Sequence, residues 1–324
     1  MKTATFLLVI AALVSRPAPA QVKITPGPEK VAIEINGKPS TDFYIAGPEV
    51  AKPYLWPLRA ASGTYVTRMW PMQKAEEEAS IQKPDHPHQR GLWFAHASVN
   101  GLDFWNTAPM DQRPYNQPDR GKIVLKKLGG VKYDKDKGSV AATFDWTNVK
   151  GDVLLTEQRL TTFYADTNLR TIDFDITLTA VQKVTFGDEK DGVFGLRLRP
   201  ILQEDKGTGH ISNADGGMGE KAVWGKPSNW CDYSGDINGE KVGLAILDHP
   251  ANPGHPVRWH VRAYGLFAAN PFGNATFTGD KSQAKETVLE PGKSLRYRYR
   301  LIIHPGDAKS ADIAGLWRKY SPGN

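Results

Sequence analysis

Residues 85 to 105, Asp-His-Pro-His-Gln-Arg-Gly-Leu-Trp-Phe-Ala-His-Ala-Ser-Val-Asn-Gly-Leu-Asp-Phe-Trp, hold three of the chain's eight histidines beside two tryptophans, one arginine and two aspartates. Packing alone does not call for so many titratable and stacking groups. His86 and His88 are two residues apart, and an extended chain turns positions i and i+2 to the same side, so both imidazoles can converge on one ligand. Convergent imidazoles suit proton transfer near neutral pH or metal binding through neutral ring nitrogens, and the spacing does not choose between them. The competing reading is a structural turn whose histidines satisfy backbone groups.

A second dense segment, residues 248 to 260, repeats Asp-His-Pro and follows it with further histidine, Arg258, Trp259 and His260. It begins at the end of an expected strand and runs through a proline-rich loop, where restricted φ reduces the entropy lost on holding side chains for binding. If the two segments meet, His260 is a better ligand than His249, which sits beside a proline at the strand end. Sugar recognition needs flat apolar faces and forked polar groups. Of the nine tryptophans, Trp56, Trp70, Trp93, Trp105 and Trp259 stand near prolines, glycines or loop ends, and Arg90, Asn100, Asp103, Arg258 and Asn270 carry suitable donors and acceptors. Tryptophan is equally a core residue of β-sandwiches. Missing are a Gly-x-Ser-x-Gly elbow, a phosphate-cradling loop, a dinucleotide fingerprint and a cysteine pair for zinc.

The elements that must position these groups are strands. Apolar and polar residues alternate over Val31 to Ile35, Ser139 to Trp146, Val153 to Phe163, Leu169 to Thr179, Phe194 to Leu198, Lys241 to Leu247 and Leu295 to Ile303. Asn36-Gly37, Gly129-Gly130, Asp191-Gly192, Asn238-Gly239 and Pro291-Gly292 mark turns. The polar faces Asp173/Asp175 and Arg197/Arg199 either line a concave surface or pair with neighbouring strands on a solvated face. Only Ala311 to Tyr320 has helical spacing, with Ser310 as the expected N-cap. The pattern therefore predicts an all-β fold, a large antiparallel β-sandwich with one short C-terminal helix, and one domain over residues 21–324.

The start of the chain has the layout of a secretory signal peptide, with an apolar run from Ala4 to Val14 and a cut after Ala20. The expectation is a periplasmic or secreted protein without a membrane span. Cys231 is the only cysteine, so no internal disulfide can form. The formal charge of +6 is spread along the chain rather than grouped in a block, which makes nucleic acid an unsuited partner.

Three motifs carry a resemblance: the 85–105 segment, Phe186-Gly187-Asp188 with Phe194-Gly195-Leu196-Arg197, and the run from Trp259 to Gly273. They resemble the bacterial family labelled PmoA-like, or methane oxygenase PmoA, over roughly Val50 to His304. Members often carry His-His-Arg where this chain has His88-Gln89-Arg90. The label implies copper-dependent methane oxidation, although a genuine subunit of that name is an integral membrane protein. The β-rich body, with Leu289-Glu290-Pro291-Gly292-Lys293 before an Arg/Tyr strand, is more distantly similar to the aldose-mutarotase super-sandwich, which implies sugar chemistry on a concave sheet.

The leading expectation is a carbohydrate-active protein using histidine/carboxylate acid–base chemistry on a sugar or oligosaccharide, as an epimerase, lyase or hydrolase. His86, His88, His96 and His260 carry protons, Asp85 orients them, and Arg90 clamps an anion or hydroxyl. Trp93, Asn100, Asp103, Trp105, Arg258, Trp259 and Asn270 bind the ligand. The alternatives are a non-catalytic glycan-binding protein and a metal-dependent oxygenase-like protein in which His86, His88 and His260 hold a divalent metal such as copper or iron.

Overall fold

The computed structural model describes residues 21–107 and 117–321. The expected signal peptide at residues 1–20 lies outside the described residues. In chain order the first strands are β1 Val22–Pro26, β2 Lys30–Ile35, β3 Lys38–Tyr44, β4 Tyr54–Trp56, β5 Leu92–His96 and β6 Gly121–Asp134. There follow β7 Lys137–Asn148, β8 Val153–Tyr164, β9 Arg170–Ala180, β10 Val184–Phe186, β11 Gly192–Arg197 and β12 His210–Asn213. The last are β13 Trp230–Ile237, β14 Glu240–Asp248, β15 Arg258–Arg262, β16 Leu266–Asn270, β17 Thr287–Leu289 and β18 Ser294–Pro305.

The described residues form two eight-stranded antiparallel sheets and a two-stranded β10–β17 ribbon. The first sheet runs β1-β2-β3-β4-β5-β11-β16-β15 and the second β12-β13-β14-β18-β9-β8-β7-β6. The protein is thus the large antiparallel β-sandwich that the alternation predicts. Aromatic side chains fill the space between the layers: Phe194 of the first sheet packs on Phe174 and Tyr299 of the second, each with ring centroids 4.8 Å apart. Such pairs add to the hydrophobic gain and fix how the sheets sit on each other.

The period-two strands differ in what their polar faces do. On β9, Asp173 and Asp175 pair with Arg300 and Arg296 of β18, which is the solvated cross-strand reading. By contrast, β11 is buried along its whole length. Phe194 and Leu196 point to the core, so Gly195 and Arg197 lie on the opposite, outer face. Gly195 is there because two indoles press against it: a Cβ would lie 2.5 Å from Cη2 of Trp105 and 2.8 Å from Cζ2 of Trp93. Gly195→Ala is therefore expected to destabilise by about 1–3 kcal/mol through overpacking, read as a lower midpoint in urea.

The C-terminal helix forms at Ile313–Tyr320, and its N-cap is Asp312, whose side chain accepts from the Gly315 N–H, rather than Ser310. Ser310 instead closes a turn with Asp307. It is not the one helix. Numbered in chain order, α1 is Glu76–Ile81, α2 Glu220–Val223, α3 Asn274–Thr278 and α4 the C-terminal helix. The first three span four to six residues, less than two turns, too short for a 3.6-residue period to be visible in sequence.

Candidate functional site

The turn from Gln82 to Gly91 leads from α1 into β5 and crosses the outer face of the first sheet where β11 ends. Arg197 is the last residue of β11 and is fully buried. Its Nη2 donates to both oxygens of Asp85, at 3.0 and 3.2 Å, and its Nη1 donates to Gln89 Oε1. Arg68 approaches Asp85 from the segment before α1, with Nη1 at 2.5 Å from Oδ1, while its Nη2 donates to the carbonyls of His86 and Gln89. Gln82 donates to Asp85 Oδ2 at 2.7 Å. The turn is thus tied at both its backbone and its carboxylate.

The remaining partner of Asp85 is His86, whose Nδ1 stands 3.0 Å from Oδ2. The His86 side chain is 42% exposed and stacks on Tyr264, with centroids 5.4 Å apart and planes within 7°. His88 is buried and meets His86 edge-on at 5.6 Å. Tyr264 comes from the turn between β15 and β16, and Arg197 and Arg262 lie over its ring at 4.6 and 5.4 Å. A cavity of about 270 Å³ opens beside this group, lined among others by Arg68, Trp70, Glu78, Gln82, Pro84 and Pro200.

Charge balance fixes the protonation of Asp85. Burial alone would raise its pKa, but the His86 hydrogen bond and the guanidinium groups of Arg197 and Arg68 outweigh it and hold the carboxyl well below the usual carboxylate range. Burial and the neighbouring Arg197 bring Arg68 down to about 9, so it remains a cation at neutral pH. With Nδ1–H directed at a permanent carboxylate, the partly exposed His86 ring keeps its Nε2 lone pair for proton exchange. That is the arrangement of an oriented proton carrier.

The structure brings Asp85, His86 and His88 together, places His96 and His260 elsewhere, and gives Arg90 of the same turn a structural role. His96 lies in the core, its Nε2–H donating to the Gly187 carbonyl at 2.9 Å, with its ring near Phe186 and Phe272. His260 donates from Nδ1 to the Lys190 carbonyl at 3.0 Å and packs on Trp224 and Phe277. Neither is a solvent-facing proton carrier. Arg90 is buried and spends its guanidinium on the Glu49 carbonyl and carboxylate and on the Pro87 carbonyl, so it ties the turn instead of clamping a ligand.

The expected ligand-binding residues are also largely structural. Trp93, Trp105 and Trp259 are buried, the first two edge-to-face at 4.8 Å, so none presents a free indole face. Asn100 adopts a left-handed turn conformation and bridges to Thr185 and Lys183. Asp103 pairs with Arg120 and accepts from the N–H groups of Trp105 and Asn106. Asn270 is buried and spans the carbonyls of Glu189 and Lys190. Arg258 is half-buried and keeps part of its guanidinium open to a separate cavity.

The two Asp-His-Pro segments do not meet. Asp248 is buried and holds its own loop, accepting from His255 Nδ1 at 2.6 Å, from Asn252 Nδ2 and from the Val257 N–H. His255 and His249 face Trp317 and Tyr320 of α4 on the second sheet. The expected metal set fails for the same reason, because His260 is committed to Lys190. Among the described residues no three His, Cys, Asp or Glu side chains are grouped to hold a metal ion.

Sequence reasoning missed Arg68, Gln82 and Tyr264, which lie outside the dense segments. The one usable signal was Arg197, a charged residue in a strand otherwise apolar enough to be buried on both faces. The buried histidines carry an acid liability. Burial pushes His96 from 6.5 down to about 4, and burial likewise lowers His260. Between those values the unfolded chain binds protons that the native state refuses, so stability is present above about pH 6.5 and is lost as pH falls toward 4. Urea midpoints measured across that window are expected to fall, and His96→Gln is expected to flatten the slope.

The chain belongs to the family described as a family of unknown function, DUF6807, which matches residues 30–318. Among solved structures it is similar in fold to a galactose mutarotase-like protein from Clostridium acetobutylicum, at 12% identity over 89% of this chain and 99% of that one, with a TM-score of 0.43. A galactose 1-epimerase from Lactobacillus acidophilus is similar at 10% identity, 89% and 99% coverage and a TM-score of 0.40. An alpha-galactosidase from Lactobacillus brevis is similar at 11% identity over 94% of this chain, with a TM-score of 0.44, and the match spans 42% of its length. No curated protein matches the chain. The methane-oxygenase resemblance has no counterpart in these comparisons. No helix among the described residues is long and apolar enough to cross a membrane.

Proposed function

We propose that this chain is a carbohydrate-active protein in which His86 moves a proton on a sugar or sugar derivative and Asp85 orients it. One observation carries the reading: an exposed imidazole whose Nδ1 is held by a carboxylate that two buried arginines keep ionised. In neutral His86 the Nε2 lone pair accepts a proton from the substrate, and the resulting imidazolium is stabilised by Asp85. Donation from Nε2 to a leaving or re-forming group completes the cycle, as an epimerase, lyase or hydrolase requires. The neighbouring cavity wall of Trp70 offers a flat face to sugar C–H groups, while Tyr264, stacked on His86, holds the imidazole in place.

The same proposal has the protein act outside the cytoplasm, on the strength of the signal-like residues 1–20. The test is incubation of the purified protein with a panel of mono- and oligosaccharides, read by mass spectrometry and by calorimetry. A product, an epimer or an unsaturated sugar supports the reading. Binding without any product overturns it in favour of a non-catalytic glycan-binding protein.

A further inference from the structure

A cavity of about 630 Å³ lies at the opposite end of β15 from the Asp85–His86 pair. Arg258 and Arg262 bound that strand, four residues or about 13 Å apart at the rise of a strand. Pro253, Pro256, Pro271 and Phe272 supply rigid apolar walls, and Asn274 and Gln283 supply amide groups. Among the described residues Arg258 and Lys285 are the only charged side chains that line it. Arg258 is held in place by Nε to Asn274 Oδ1 at 3.1 Å and Nη1 to the Gly225 carbonyl at 2.9 Å, which leaves Nη2 for a ligand. Asp188, outside the lining, spends its oxygens on the backbone N–H groups of Asn274, Ala275 and Lys285. The two charged side chains that line the cavity are therefore both cationic, with the carboxylates of Asp188 and Asp280 behind the Lys285 backbone and the Gln283 amide.

We propose that this cavity binds an acidic saccharide, one bearing carboxylate or sulfate groups, through Arg258 and Lys285. The fixed guanidinium meets the anion without losing much rotamer freedom, and the amides serve neighbouring hydroxyls. The proline rings lie against the C–H faces. The acidic group follows from the cavity, whereas the choice of a saccharide rests on the function proposed above.

The full chain carrying His86→Gln, which is expected not to turn over substrate, is titrated by calorimetry with an oligogalacturonate, its neutral methyl ester and a sulfated galactan oligosaccharide. At least one acidic chain is expected to bind about tenfold tighter than the neutral one and to weaken with added salt. Which of the two is preferred identifies the group. Lys285→Ala, at an exposed position, and Arg258→Gln are each expected to weaken binding about fivefold. Equal affinity for acidic and neutral chains, or affinity unchanged in both variants, overturns the proposal. No turnover is read, so failure of the proton-transfer reading leaves these outcomes as they are.

Discussion

Asp85→Asn is expected to destabilise the protein by about 3–5 kcal/mol, because it leaves two buried cations without their counter-charge. Arg68 and Arg197 are both almost fully enclosed, and Asp85 is the carboxylate they share. Asparagine keeps the shape and one acceptor, so the loss reports charge and not a cavity. Urea unfolding followed by circular dichroism measures it. Its pH dependence has a definite sign. The folded-state pKa of Asp85 is depressed, so its contribution is present above the unfolded carboxylate value near pH 4 and disappears as pH falls below it. The difference between wild type and Asp85→Asn should therefore narrow as the pH is lowered through and below 4. A constant difference down to pH 2 would show that Asp85 acts through packing alone.

His86→Gln is expected to lower turnover by about 10²–10⁴-fold, the range that removal of a positioned general acid or base produces. Stability should change little, since the ring is substantially exposed and its backbone carbonyl, which Arg68 uses, is retained. His88→Gln separates the two imidazoles. His88 is buried, so its replacement is expected to cost stability, whereas His86→Gln costs only activity. Full turnover in His86→Gln would remove the imidazole from the mechanism whatever the substrate.

The sandwich was legible in sequence because the period of a half-buried strand survives in the letters. β9 reads Arg-Thr-Ile-Asp-Phe-Asp-Ile-Thr-Leu-Thr-Ala, and its burial alternates in step. α1 left no such trace in six residues, yet it carries the chain to Gln82 and to the turn that displays Asp85. Within the site, Asp85, His86 and His88 could be singled out because they are neighbours in sequence. Arg68, Arg197 and Tyr264 are brought to them by strand pairing and by the β15–β16 turn, which no local pattern encodes. His96, His260, Trp93 and Trp105 illustrate the opposite error. A histidine buried neutral against a carbonyl, or an indole packed edge-on in the core, has the same letter as one that meets a ligand, and only burial distinguishes them.

The central claim is that a proton passes between a sugar and His86 under the control of Asp85. Solvent-deuterium incorporation into the sugar, followed by NMR in D₂O with wild type and His86→Gln side by side, tests it most directly for the epimerase and lyase forms of the reaction, and product formation on the same samples covers the hydrolase form. The account predicts label or product with wild type and about a hundredfold less or none with His86→Gln. Equal label or equal product from the two proteins would contradict it.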